Sequence, residues 1–160
     1  EGLSIGDNVL DFFSKEKLKK NNINDRNLKN TEYKKSCFDY YGNTYDRICI
    51  SYKKNIIHNI QGQLIYKKKN IDGCKKKQFE VDQELFSIFK NQDRKDWGEL
   101  KLQSLKDIQP NSYYHPITYS FKENSRVQIG CYYLKNSTRL KVSIYDAVYR
   151  KVIQKQAEKR

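Results

Sequence analysis

Apolar residues recur along this chain with two different periods, and the switches between them mark out its elements. In residues 45–66, Ile48, Ile50 and Tyr52 alternate with Arg47, Cys49 and Ser51, the two-residue period of a half-buried strand. Lys53-Lys54-Asn55 supplies a turn, and a return strand over 56–67 places Ile60, Gly62, Leu64 and Tyr66 on one face. Gly62 inside that strand predicts a bulge or a close neighbour. Residues 37–41 add an edge strand. A second hairpin follows the same rule: Ile117, Tyr119 and Phe121 alternate toward a turn at Lys122-Glu123-Asn124, and Val127, Ile129 and Cys131 return. Leu140, Val142 and Ile144 then share one face of a further strand.

Between and after the hairpins the period lengthens. Val81, Leu85 and Ile88 recur at helical spacing over 72–90, Phe79, Phe86 and Phe89 widen the stripe, and Asp72 stands where a cap belongs. A stripe that broad predicts cover by the apolar face of the sheet. Asp146 is placed to cap a terminal helix with Ala147, Val148, Val152 and Ile153 inward. At the start, Asp7 is placed to cap a helix carrying Val9, Leu10 and Phe13, and Ser14 a short turn through Leu18. Residues 21–35, rich in asparagine and lysine, predict an exposed, mobile connection. The stretch from Trp97-Gly98 to Asn111 shows no clear period. Ser51-Tyr52-Lys53-Lys54-Asn55 faintly echoes Ser120-Phe121-Lys122-Glu123-Asn124, and each hairpin precedes a helix. The expected fold is a single α+β domain over 1–160: an antiparallel sheet from two β-hairpin-plus-helix halves, with the helices packed on one face.

Composition changes this picture in two ways. A mean hydropathy of −0.96 and 32% charged residues approach the disordered range, but 37% hydrophobic and 13% aromatic residues in periodic runs supply a core. No apolar run approaches the ~18 residues of a membrane-spanning helix. The net charge of +13 draws polyanions, yet the bases divide into 25 Lys and 7 Arg, and planar bidentate recognition of phosphate or guanine favours arginine. The lysine runs, Lys67, Lys68 and Lys69 among them, are scattered as on a solvated surface. Nucleic acid is therefore the alternative partner and not the first.

Four cysteines permit three pairings. Cys74 begins the central helix and Cys131 lies in a strand that this helix should cover, which favours Cys74 with Cys131 and Cys37 with Cys49. No pair has the short spacing of a zinc site or of a redox motif, so no metal and no cofactor is expected. The chain opens at Glu1 and contains no methionine, which a cleaved targeting peptide explains most simply. With paired cysteines this places the protein outside the cytoplasm, in a periplasmic or extracellular compartment.

Candidate chemistry is sparse. His58 could act as a base if it met a carboxylate, but no serine or cysteine arrangement marks a nucleophile, and His115 precedes Pro116. Asp93, Asp96 and Glu99 around Trp97 form an acidic cluster that reads as a solvated loop or a weak cation site. The adjacent pairs Tyr40-Tyr41, Tyr113-Tyr114 and Tyr132-Tyr133 are the best lead to a binding surface, because on a strand one member of each pair faces away from the core. Exposed tyrosine beside lysine suits stacking on bases, sugars or partner proteins.

The opening Gly2-Leu3-Ser4-Ile5-Gly6-Asp7, the run Asp72-Gly73-Cys74 leading into a helix, and Asp96-Trp97-Gly98 together resemble a group of small exported bacterial proteins of unknown function. The resemblance implies export and an α+β plan, and it carries no catalytic residues. A looser likeness to the small envelope lipoproteins of outer-membrane assembly lacks their lipidated cysteine. The sequence thus points to a non-enzymatic extracytoplasmic module with a protein or polyanion partner. A nucleic-acid-binding protein is the alternative, and a small hydrolase or thiol redox enzyme the third reading.

Overall fold

The computed structural model describes residues 2–39, 44–66, 70–102, 112–134 and 137–158. They form one antiparallel sheet of eight strands with three α-helices, so the α+β class holds. The first half contributes β1 (Lys34–Asp39), β2 (Arg47–Lys53) and β3 (Ile56–Tyr66). The second contributes β4 (Asp93–Asp96), β5 (Leu100–Lys101), β6 (Tyr113–Ser120), β7 (Arg126–Leu134) and β8 (Ser137–Tyr145). Spatial order is β1-β2-β3-β8-β7-β6-β4, with β5 also on β6, so the two groups of strands join where β3 pairs β8. Short β5 lies in the stretch from Trp97-Gly98 onward that has no clear period in the sequence, and short β4 just precedes it.

Both hairpin turns use an asparagine, which tolerates a left-handed backbone: Asn55, together with Lys54, in the first and Asn124 in the second have positive φ. Gly62 meets the expectation of a close neighbour, since a Cβ there would lie 2.7 Å from the Tyr45 ring. The bulge sits elsewhere, between Ser51 and Tyr52, and leaves His58 of β3 without a partner across the ladder. Ile57 and Ile60 thereby both stay in the apolar cluster, while His58 reaches Tyr33 and Asp146.

The helices divide between the two faces of the sheet, contrary to the expected packing on one. On the first face, α1 (Lys15–Lys20) and the preceding turn cover Ile50, Tyr52 and Ile57 with Val9 and Leu18, and α2 (Ile71–Ile88) covers Ile117, Ile129, Cys131 and Leu140. On the second face, α3 (Ala147–Glu158) packs with Leu28, Tyr33 and Tyr145 through Tyr149, Val152 and Ile153. Strand alternation explains how this second face can be polar: on β8, Leu140 and Val142 turn to α2, whereas Lys141, Ser143 and Tyr145 turn to α3. Each face also holds one disulfide. Cys74–Cys131 ties α2 to β7, and Cys37–Cys49 joins directly opposed residues of β1 and β2, with Cα atoms 4.0 Å apart, on the α3 side.

Several expected details shift by a residue or a face. Asn8 and Asn70, and not Asp7 and Asp72, accept the first N–H groups of their helical turns; Asp7 instead takes the Ser4 N–H. Ser14 and Asp146 cap as expected. Phe79, Phe86 and Ile88 of α2 are 63%, 50% and 68% exposed, and the helix buries Cys74, Gln78 and Asp82 in their place. Val148 of α3 also faces outward. Residues 21–35 are tied down where the sequence predicts a loose connection. Leu28 and Tyr33 are buried, Asp25 pairs with Lys35, and the Ile23 N–H and Cys37 N–H bonds lay this segment along the outer edge of β1.

Candidate functional site

A polar cleft of about 380 Å³ opens on the α3 side of the sheet. Its floor comes from alternate positions of three strands: Asn59 and Gln61 of β3, Ser143 and Lys141 of β8, Gln128 and Tyr132 of β7. Its walls are Tyr149 and Arg150 of α3 on one side and Asp25, Asn27 and Lys35 on the other. An ordinary antiparallel sheet leaves such a face to water. Here α3 and residues 25–35 partly cover it, so the polar side chains work in a desolvated space.

The floor is preorganised by bonds between its own members. Gln63 Nε2 donates to Gln61 Oε1 (2.8 Å), and Gln61 Nε2 donates to Ser143 Oγ (2.8 Å). On the β7 side, the Tyr145 hydroxyl donates to Gln128 Oε1 and Gln128 Nε2 donates to the Tyr132 hydroxyl, each at 3.2 Å. The Tyr132 ring can lie along the sheet because Gly130 has no side chain; a Cβ there would stand 3.2 Å from the ring. Gly130 is also the residue directly opposite Lys141. The Lys141 ammonium accordingly sits 4.1 Å from the centre of the Tyr132 ring, in cation–π contact.

Charge in the cleft is unbalanced. Lys35, Lys141, Arg126 and Arg150 line it against the single carboxylate of Asp25. Asp25 is already committed, with one oxygen 2.9 Å from Lys35 Nζ and the other accepting the Asn27 N–H. Burial works to raise the Asp25 carboxyl, but the Lys35 ammonium outweighs it and holds the group below the usual carboxylate range. Lys141 is pushed down to about 8, first by burial and then by Lys35 and Arg139, with only Asp25 acting the other way. The Nε–H groups of Arg126 and Arg150 are buried without a hydrogen-bond partner, as is that of Arg139, which stands opposite Tyr132 across the β7–β8 ladder.

The structure separates the tyrosines named from the sequence. Tyr113 and Tyr133 pair across β6–β7 on the α2 side, centroids 4.4 Å apart, with Tyr133 in the core. Tyr114 and Tyr132 stack on the opposite side at 5.2 Å and 18°, and Tyr132 continues into the cleft. Burial raises the Tyr132 hydroxyl well above its ordinary value, followed by Tyr114 and Tyr145. Tyr40, Tyr41, Lys67, Lys68 and Lys69 lie outside the described residues.

Both histidines meet carboxylates: His58 Nδ1 is 2.6 Å from Asp146 Oδ2, and His115 Nε2 is 2.6 Å from Asp96 Oδ1. Neither lines the cleft. The acidic cluster around Trp97 places Asp93 and Asp96 in edge strand β4, and Glu99 in the short loop that follows it. Its members disperse to separate partners, Asp96 to His115 and Glu99 to Lys75, and no group of potential metal ligands occurs among the described residues. Sequence reasoning missed Lys141, Asn59, Gln61 and Gln128. Their signal was a polar strand face filled with uncharged amides and cations where a solvated face would mix in acids.

No protein-family model, curated protein or solved structure matches the chain. The likeness to small exported bacterial proteins therefore remains an expectation, and the cleft is the firmest guide to what the chain does.

Proposed function

We propose that the protein is an extracytoplasmic binding module that holds a small polar ligand in the cleft between α3 and the sheet, without turning it over. The observation that carries this reading is Lys141, a desolvated ammonium with no ion pair, seated on an aromatic ring among bonded amides. A volume of about 380 Å³ falls within the roughly 300–1,000 Å³ of small-molecule sites. We read it as binding without catalysis because neither histidine lines the cleft and its serine, Ser143, is bonded to the Gln61 amide and not to a base. The two disulfides support export, and no helix among the described residues is long and apolar enough to cross a membrane. We also read the sheet as two strand-plus-helix halves. The order β1-β2-β3-α2 against β6-β7-β8-α3 supports that correspondence.

The test is a set of neutral, anionic and cationic polar fragments added to isotope-labelled protein. Perturbations should cluster on Asn59, Gln61, Gln128 and Ser143. Perturbations confined to the exposed lysines and the α2 surface would overturn the reading. So would tight, steeply salt-dependent binding of duplex DNA that leaves the cleft unperturbed, the mark of a polyanion-binding surface.

A further inference from the structure

We infer that the cleft is built for an anion, and that its ligand is a small organic molecule whose carboxylate or phosphate lies among Lys141, Arg126 and Arg150. This rests on the cleft being the binding site, and it adds the chemical class of the ligand. Each cation has a specific reason to want a partner that the described residues do not provide. Among the described residues no carboxylate lies within ion-pair distance of the Lys141 ammonium, and the one carboxylate lining the cleft is held by Lys35. The Arg126 and Arg150 Nε–H donors are buried and unsatisfied, a state that costs free energy unless something accepts from them. Among the described residues, the charged groups that act on Lys141 are Lys35 from β1 and Arg139 from β8, both positive, with Asp25 opposing them.

An oxyanion answers all three deficits at once. It offers several acceptor lone pairs, takes charge-assisted bonds from guanidinium and ammonium, and neutralises an excess of cations in a desolvated space. The remaining surface fits the body of such a molecule: the amides of Gln128 and Asn59 are suited to hydroxyl or amide groups, and the Tyr145 and Tyr149 rings to a flat or sugar-like face. That burial, Lys35 and Arg139 push Lys141 down to about 8 agrees with a group awaiting a counter-charge.

The experiment titrates the folded, disulfide-bonded protein with inorganic phosphate, D-glucuronate and D-glucose, read by NMR at the Lys141 side chain and the arginine Nε–H groups. Glucuronate and glucose share a ring and differ in the carboxylate; phosphate against glucuronate tells which oxyanion is preferred. At least one anion should move the Lys141, Arg126 and Arg150 signals and raise the pH at which Lys141 titrates by about 1, as a close opposite charge does. Glucose should leave them in place. Lys141→Met should weaken the anion by about tenfold or more with both disulfides intact, and Lys141→Arg should retain most of the binding. Glucose binding as tightly as glucuronate, or anion affinity unchanged in Lys141→Met, would overturn the inference. Cleft shifts from neutral or cationic fragments, with none from phosphate or glucuronate, would overturn the anion and leave the binding cleft standing. A cleft silent to every probe ends both.

Discussion

The same strands carry two faces that solve opposite problems. Against α2, Ile129, Cys131 and Leu140 form a dry layer, and the buried carboxylate that enters it is matched: Asp82 accepts two bonds from the Arg94 guanidinium (3.0 and 2.6 Å) and one from the Tyr119 hydroxyl (2.6 Å). Burial and the Asp82 carboxylate together push the Tyr119 hydroxyl up to about 12. Against α3, Lys141 and the Arg126 and Arg150 Nε–H groups are desolvated and left over. Buried charge with its partners present is structure; buried charge with its partners missing is an invitation to bind. The contrast separates architecture from site without reference to any relative.

The largest effect should come from breaking the matched set. Asp82→Ala leaves Arg94 without its counter-ion and is expected to cost about 3–5 kcal/mol in urea unfolding; a loss below about 1 kcal/mol would deny that the knot braces this face. Next come the crosslinks. Removing Cys74–Cys131, which spans 57 residues, should cost about 4 kcal/mol, and removing Cys37–Cys49, which spans 12, about 3, because the longer loop restricts the unfolded chain more. Paired denaturation of the two double-alanine variants checks the order.

The opposite face should respond with the opposite sign. Between pH 8 and the ordinary lysine value of 10.5, the unfolded chain holds a proton on Lys141 that the native state lacks, so native stability rises with pH through that window. Below pH 8 the full cost of charging a desolvated ammonium is present, up to about 3 kcal/mol. Lys141→Met should therefore stabilise the protein at pH 7, and the advantage should shrink by pH 10.5, as paired denaturation curves at the two pH values would reveal. A variant that gains stability while losing its anion would place Lys141 on the functional side of the comparison. The smallest effect belongs to Phe79→Ser and Phe86→Ser, expected within about 0.5 kcal/mol of the parent because both side chains face outward.

Most strands were legible because alternation is a local property. Ile48 with Ile50, Ile117 with Tyr119, and Leu140 with Val142 announce their face whatever surrounds them. The disulfide pairing followed as well, since Cys74 and Cys131 are brought together by the helix-on-sheet packing that their positions imply. Helix α2 was harder. Its phenylalanines signalled burial, yet the side turned to the sheet carries Gln78 and Asp82, whose partners Arg94, His115 and Tyr119 lie in the following strands, 12 to 37 residues away. The cleft was illegible for a related reason. Lys141 and Gln128 read as solvated positions until α3 and residues 25–35 fold over them, and periodicity holds no record of what comes to lie above a polar face.

The segment bearing Asn21 and Ile23 has one more consequence. Its bonds to Cys37 N–H and Lys35 O occupy the rim of β1, where an antiparallel sheet would otherwise offer a ready template to another extended chain. At the far rim, β4 presents Asp93, Arg94, Lys95 and Asp96, a charged row that discourages stacking of copies end to end. Strand-by-strand polymerisation is thereby obstructed at both limits of the sheet.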